Sequence, residues 1–257
     1  MGVLTAVPVQ SDDIRFYAGS LAPMIQLEPD GKITGFSVDL LKEVLAEAGE
    51  TFSEDIILKT NWGRAVHDVE VTPGTALLAL TLLPDRQDRF KWVGPINEIQ
   101  IGVFGRKADN LVIRHTDDLF KYRIAMVRNT APMLMLVNSL PGIEEHIVKV
   151  SSIRTQLRIL HAGRVDLIIQ AVKASRHLMQ EEGLETEEFS LLYLVEPTRL
   201  YYGFNKTTDD EYITRLQAAL DRLKRKAVDG RSRYDRIRAK YFSDENATLG
   251  PVQSDGD

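Results

Sequence analysis

TALLALTLLPDRQDRFKWVGP, residues 75–95, is the stretch whose reading decides the fold. Ala76 to Leu80 is a short apolar run that reads as a buried strand. Thr81 ends it, Pro84 breaks the chain direction, and Arg86 follows two residues later. Phe90 to Pro95 reads as a second short strand, closed by a Gly-Pro stop. A strand that delivers a hydroxyl and a guanidinium to one turn suits a carboxylate, because Arg offers a planar fork of donors that matches two carboxylate oxygens. The same residues also fit a surface Arg paired with Asp85 or Asp88.

Working outward, Ile14 to Ala18 reads as a first strand and Asp30-Gly31 as a tight turn between short extended pieces. Val38, Leu41, Val44, Leu45 and Ala48 share one helical face, with Gly49 as the stop. Ile56 to Leu58 is a strand, and Asn61 caps a helix starting at Trp62. After Gly105 the same grammar restarts. Asp117-Asp118 opens a short helix, Arg123 to Val127 is a strand, and Thr130 begins a Met- and Leu-rich helix. Ile147 to Val150 is a strand, and Ser152 caps a helix that Gly163 ends. Leu167 to Ile169 is a strand followed by a helix over 171–183, and the acidic run Glu181 to Glu188 reads as a solvated loop. Leu191 to Val195 is a strand ended by Pro197, and Leu200 to Phe204 is extended again. Thr208-Asp-Asp-Glu211 forms a capping box for a helix that turns Tyr212, Leu216, Ala219, Leu220 and Leu223 inward. A last helix spans about Tyr234 to Tyr241, and a polar tail from Ser243 is expected to be disordered. Strands alternating with helices predict an α/β fold with mainly parallel sheets, and the restart predicts two lobes.

Composition narrows the function. The chain has 257 residues, 44% hydrophobic and 27% charged, ordinary for a globular protein that needs no staple for its core. A net charge of -5 argues against a nucleic-acid surface. There is no run of about 18 apolar residues that would cross a membrane as a helix. With no Cys, thiol catalysis, thiolate metal sites and a lipid anchor on Cys are excluded for this chain. The five His show no metal-binding spacing, and no phosphate-binding or serine-hydrolase signature is present, so neither a cofactor nor a catalytic residue is expected. The first residues, MGVLTAVPVQSDD, lack a basic segment and a signal-peptide core; an exported protein would here be a mature form with a new start Met.

Several segments share one resemblance. Thr81-Leu-Leu-Pro-Asp-Arg86 followed by Phe90-Lys-Trp-Val-Gly-Pro-Ile96 resembles the T-x-x-P-E-R … F-x-W-V-G-P-I signature of bacterial extracellular solute-binding proteins of family 3. Pro23-Met24 and Gly31 to Leu40 are similar to that family's opening, Leu119 to Thr130 to its L-x-g-x-x-v-g-v-x-x-G-T, and Leu160 to Asp166 to its L-x-x-G-R-x-D. The order spans about residues 12 to 242.

The resemblance implies a two-lobe periplasmic-binding-protein fold of the second type, with lobe 1 formed by 12–104 and 198–257 and lobe 2 by 105–197. A two-crossover hinge near Gly105 and Pro197 would let the lobes close on a ligand. It implies Arg86 as a carboxylate clamp with Thr81 beside it, and Trp62 as a wall, although Trp62 also fits core packing. Asn129 and Thr130 stand where the family has Gly-Thr at a helix start suited to an anion; Thr130 also fits a plain N-cap. Many amino-acid receptors of this type place an Asp just beyond G-R-x-D to hold an α-ammonium, and Gln170 and Ala171 stand there instead. Leu21 likewise replaces a frequent aromatic, and Asp166 reads as structural. The implied function is a monomeric periplasmic receptor that binds a small carboxylate solute and delivers it to an ABC permease. A cyclohexadienyl-dehydratase-like enzyme or an extracellular sensor domain on the same scaffold are the alternatives.

Overall fold

The apolar run becomes β5 (Thr75–Thr81), buried at every residue. The computed structural model describes residues 14–242. Side chains that point to both faces of a sheet covered on each side explain the unbroken run, and a slip in register against β10 (Phe189–Asn205) between Leu77 and Leu80 breaks the strict alternation. Ala76 and Leu78 pack on one side against α1 (Phe36–Glu47) and α6 (Asp210–Lys224), while Leu77 and Leu80 pack on the other against α2 (Trp62–Val71). β5 runs parallel to β1 (Arg15–Ala18), which is parallel to β4 (Ile57–Lys59). A hairpin of β2 (Gln26–Leu27) and β3 (Ile33–Thr34) stands apart, and Gly31 supplies its left-handed turn at φ 90°.

The second half repeats the plan with β7 (Ile124–Val127), β8 (Ile147–Val150) and β9 (Leu167–Ala171), again mutually parallel. Leu167, Ile169 and Ala171 face a core shared with α3 (Ala131–Ser139). Ile168 faces the opposite core, with α4 (Ile153–His161) and α5 (Val172–Glu181). The fold is therefore bilobed α/β.

A ribbon of two long antiparallel strands joins the halves: β6 (Phe90–Arg106) and β10 (Phe189–Asn205). The sheet order is β4-β1-β5-β10-β6-β9-β7-β8. Residues 200–204 of β10 pair with β5, residues 101–105 of β6 pair with β9, and between those stretches the two strands pair only with each other. α7 (Arg233–Ala239) closes the first half, with Ser232 and Asp235 as its capping box.

Several expectations are corrected. Gly94-Pro95 does not stop a strand, and Pro197 does not separate two. Both prolines lie inside the long strands, exposed, where the β6–β10 register slips between Val93 and Asn97 and between Val195 and Thr198. A proline has no N–H to give, so an interrupted ladder accepts it without losing a bond. The helix expected from residue 171 starts at Val172, because Ala171 still pairs with Ile101. Asp209, rather than Thr208, caps α6 by accepting from the Tyr212 N–H at 2.9 Å. The acidic run is not wholly a solvated loop: Glu181 ends α5, and Glu182 is largely covered and paired with Arg154 and Arg158. Residues before 14 and the tail from Ser243 lie outside the described residues.

Candidate functional site

The strand directions create the site. β5 is antiparallel to β10, β10 to β6 and β6 to β9, so the two parallel triplets run in opposite senses at opposite ends of the ribbon. Their carboxyl ends meet at its middle. Thr81 pairs with Leu200 and Ala171 pairs with Ile101. A cleft of about 610 Å³ lies there, lined by residues at or just past the ends of β1, β4, β5, β7, β8 and β9. Ligand sites at strand carboxyl ends follow from loops splaying apart where the sheet stops. The starts of α2, α3 and α4 also line the cleft with their partial positive charge, and Asn61 and Ser152 cap α2 and α4 by accepting from the Gly63 and Thr155 N–H groups.

Arg86 ends a turn of 3-10 helix over Pro84–Arg86. It is 1% exposed and is among the largest fully buried side chains of the protein. The surface-pair reading fails, because Asp85 and Asp88 are exposed and no described carboxylate forms an ion pair with Arg86. Its Nη2 donates to the Asn129 carbonyl at 2.7 Å, reaching from the first half to the second, and its Nη1 has no partner. Loss of hydration pulls its pKa down from 12.5 to about 10, with Asp85 and Glu70 working against that. The guanidinium stays charged at neutral pH, so the fold holds a buried cation without a counterion among the described residues. It does not line the cleft itself; its contact is with Asn129, whose neighbour Thr130 does.

Trp62 lines the cleft, half-buried, with its indole Nε1 enclosed and without a partner. Its ring lies against Gly19, where an added Cβ would come within 3.1 Å of Cε3, so a larger residue there would push the ring by a few tenths of an ångström. Thr81 and Thr130 also line the cleft. The Thr130 hydroxyl donates back to the Val127 carbonyl at 2.8 Å and does not cap α3. Asn129 is exposed outside the lining and adopts φ 58°, a left-handed conformation that Asn tolerates. Gln170 lines the cleft, but its Oε1 already accepts from the Ala171 N–H at 2.8 Å. Asp166 accepts from the Arg123 N–H at 2.8 Å and braces the start of β7.

A family model for bacterial extracellular solute-binding proteins, family 3, matches residues 16–244. The chain belongs to this family. No curated protein matches it in sequence. Among solved structures, this family 3 protein is similar to a histidine kinase sensor domain with similarity to periplasmic binding proteins, at 19% identity and TM-score 0.78, covering 90% of this chain and 98% of that one. An ancestral arginine-binding protein bound to arginine matches at 16% identity and TM-score 0.75, over 89% of this chain and 97% of the other. Holo ArgBP from T. maritima matches at 17% identity and TM-score 0.71, over 91% and 97%. At these identities the likeness is one of fold.

The family 3 cleft also contains residues that local motifs did not single out. Lys59 ends β4 at one rim, and no described residue pairs with it. Arg154, at the start of α4, also lines the cleft, paired with Glu181 and Glu182. On α5, Ala174, His177, Leu178 and Glu181 turn one face to the cleft, and His177 stands 3.2 Å from Glu181. Their spacing of three and four residues was the available signal. Further contacts join the halves: Asn61 Nδ2 donates to the Ser151 carbonyl at 2.9 Å, Gln26 Nε2 lies 3.4 Å from His177 Nε2, and Lys173 Nζ stands 5.0 Å from the centre of the Phe242 ring. Among the described residues, no group of His, Cys, Asp or Glu is arranged to hold a metal ion.

Proposed function

We propose that this chain is a periplasmic receptor that captures a small carboxylate-bearing solute between its two lobes and presents it to an ABC permease, without chemical change to the solute. The observation that carries the reading is Arg86. A buried guanidinium with no counterion costs several kcal/mol, and a carboxylate entering beside it offsets that cost. Its other nitrogen already donates to the Asn129 carbonyl of the second half, which fixes the guanidinium at the junction of the two halves.

The lobes proposed are 12–104 with 198–257, and 105–197. The hinge is carried by β6 and β10, which span both halves with slips in register that let the ribbon bend. Thr81, Trp62, Asn129, Thr130 and Gln170 would complete the ligand shell around Arg86. Ligand contacts to both lobes favour the closed arrangement over the open one, and the closed form is what a permease would recognise. The test is a thermal-stabilisation screen of the purified protein against carboxylic acids, amino acids, amines and neutral sugars, since a ligand bound to the native state raises Tm. Compounds bearing a carboxylate should be the stabilising ones. Stabilisation by an amine or a sugar and by no carboxylate would overturn the reading.

A further inference from the structure

Donors without described partners stand in and next to the cleft, and several acceptors there are already engaged. Trp62 Nε1 in the lining and Arg86 Nη1 outside it are both buried without partners, and no described residue pairs with Lys59, also in the lining. On the acceptor side, Gln170 Oε1 holds the Ala171 N–H, Asn61 Oδ1 holds the Gly63 N–H at 3.1 Å, and the Asn129 carbonyl holds Arg86. Glu181 is the one carboxylate among the lining residues, and both Arg154, at 3.5 Å, and His177, at 3.2 Å, stand on it. Much of the remaining wall is apolar: Leu21, Leu27, Ile99, Val127, Pro132 and Leu200.

We propose that the cleft selects an organic acid with an apolar body and a hydrogen-bond acceptor, not an ammonium, beside its carboxylate; 2-oxo acids are the class that fits. The inference rests on the anion-receptor reading above and extends it to the rest of the ligand. An ammonium loses its hydration on entry and needs acceptors in return. Here it would have to compete with Arg154 and His177 for Glu181. A ketone oxygen brings only acceptor capacity, which the Trp62 indole N–H and the Lys59 ammonium can meet. The apolar walls then take the hydrocarbon body, and a cleft of about 610 Å³ leaves room for a branched or aromatic one.

Matched pairs isolate the one group in question. The purified protein is titrated calorimetrically at pH 7 with 4-methyl-2-oxopentanoate against leucine, and with phenylpyruvate against phenylalanine. Each pair keeps its carbon skeleton and carboxylate. The oxo acid should bind at least about tenfold more tightly than its amino acid in both pairs. An amino acid that equals or beats its oxo acid overturns the inference, and so does the failure of all four to bind. The same titrations on Arg86→Met separate this failure from failure of the receptor reading. If an amino acid wins and the variant loses it, the anion receptor stands and the ligand class falls. If the variant binds as the wild type does, the receptor reading itself falls.

Discussion

Replacing Arg86 by Met should leave the empty protein as stable as the wild type, or more so, and abolish most of the stabilisation by a carboxylate ligand. Met fills much of the volume without bringing a charge. In the empty protein the substitution loses one hydrogen bond, to the Asn129 carbonyl, worth about 1.5–3 kcal/mol for a charged donor. It also removes a buried cation that no described carboxylate neutralises, and with it a desolvation penalty of several kcal/mol. The two terms nearly cancel. In the complex, loss of one partner of a buried charge pair costs about 2–5 kcal/mol, at least about thirtyfold in affinity. With 4-methyl-2-oxopentanoate at about 100 times its Kd, the wild type gains about 2.7 kcal/mol, and the variant gains at most about 0.9 kcal/mol. For a protein of this size each kcal/mol moves Tm by about 2–4 °C. The ligand should therefore raise the wild-type Tm by about 5–11 °C and the variant Tm by less than about 4 °C. Differential scanning fluorimetry reads all four values. A variant that unfolds well below the empty wild type, or that keeps the full ligand shift, would refute the assignment of Arg86 as an uncompensated charge awaiting an anion.

Three other outcomes follow from the same geometry. Ligand should compact the protein in solution with no change in its circular dichroism, because closure moves lobes and not elements; small-angle scattering profiles that coincide with and without 4-methyl-2-oxopentanoate would count against a hinge in β6 and β10. Gln170→Glu keeps the acceptor for the Ala171 N–H and adds a carboxylate to the cleft, so the preference for phenylpyruvate over phenylalanine should narrow by about tenfold or more in calorimetry. Glu47 is held below its usual 4.5 by hydrogen bonds from Arg222 and then Arg233, so its stabilising share is present above pH 4.5 and is lost as pH falls through the depressed value. Glu47→Gln should accordingly lower Tm at pH 7, with the gap to wild type closing in acid; an equal gap at all pH values would contradict that linkage.

The sequence by itself determined the parts of this protein that are decided within one turn or one strand. Seven buried residues in a row at β5, the apolar face of α1, and Asn61 and Ser152 as caps are local matters, because the groups that satisfy each other lie within a few residues. The chain order of the Arg86 turn and the signature around it was equally legible. The tertiary structure decided everything that depends on a distant partner. Pro95 and Pro197 look like stops until the facing strand is known to slip in register beside each of them. Thr208 and Asp209 are both good caps by type, and packing chose Asp209. Arg86 could have been a surface residue, and only its enclosure against Asn129 makes it a buried, half-satisfied cation. The same holds for Thr81 and Gln170, far apart in the chain, which approach because two parallel triplets run in opposite senses along one ribbon. Lys59, Arg154, His177 and Glu181 share that cleft for the same reason. Strand order and direction bring them together, and hydrogen bonding along a sheet sets these between segments that no local spacing connects.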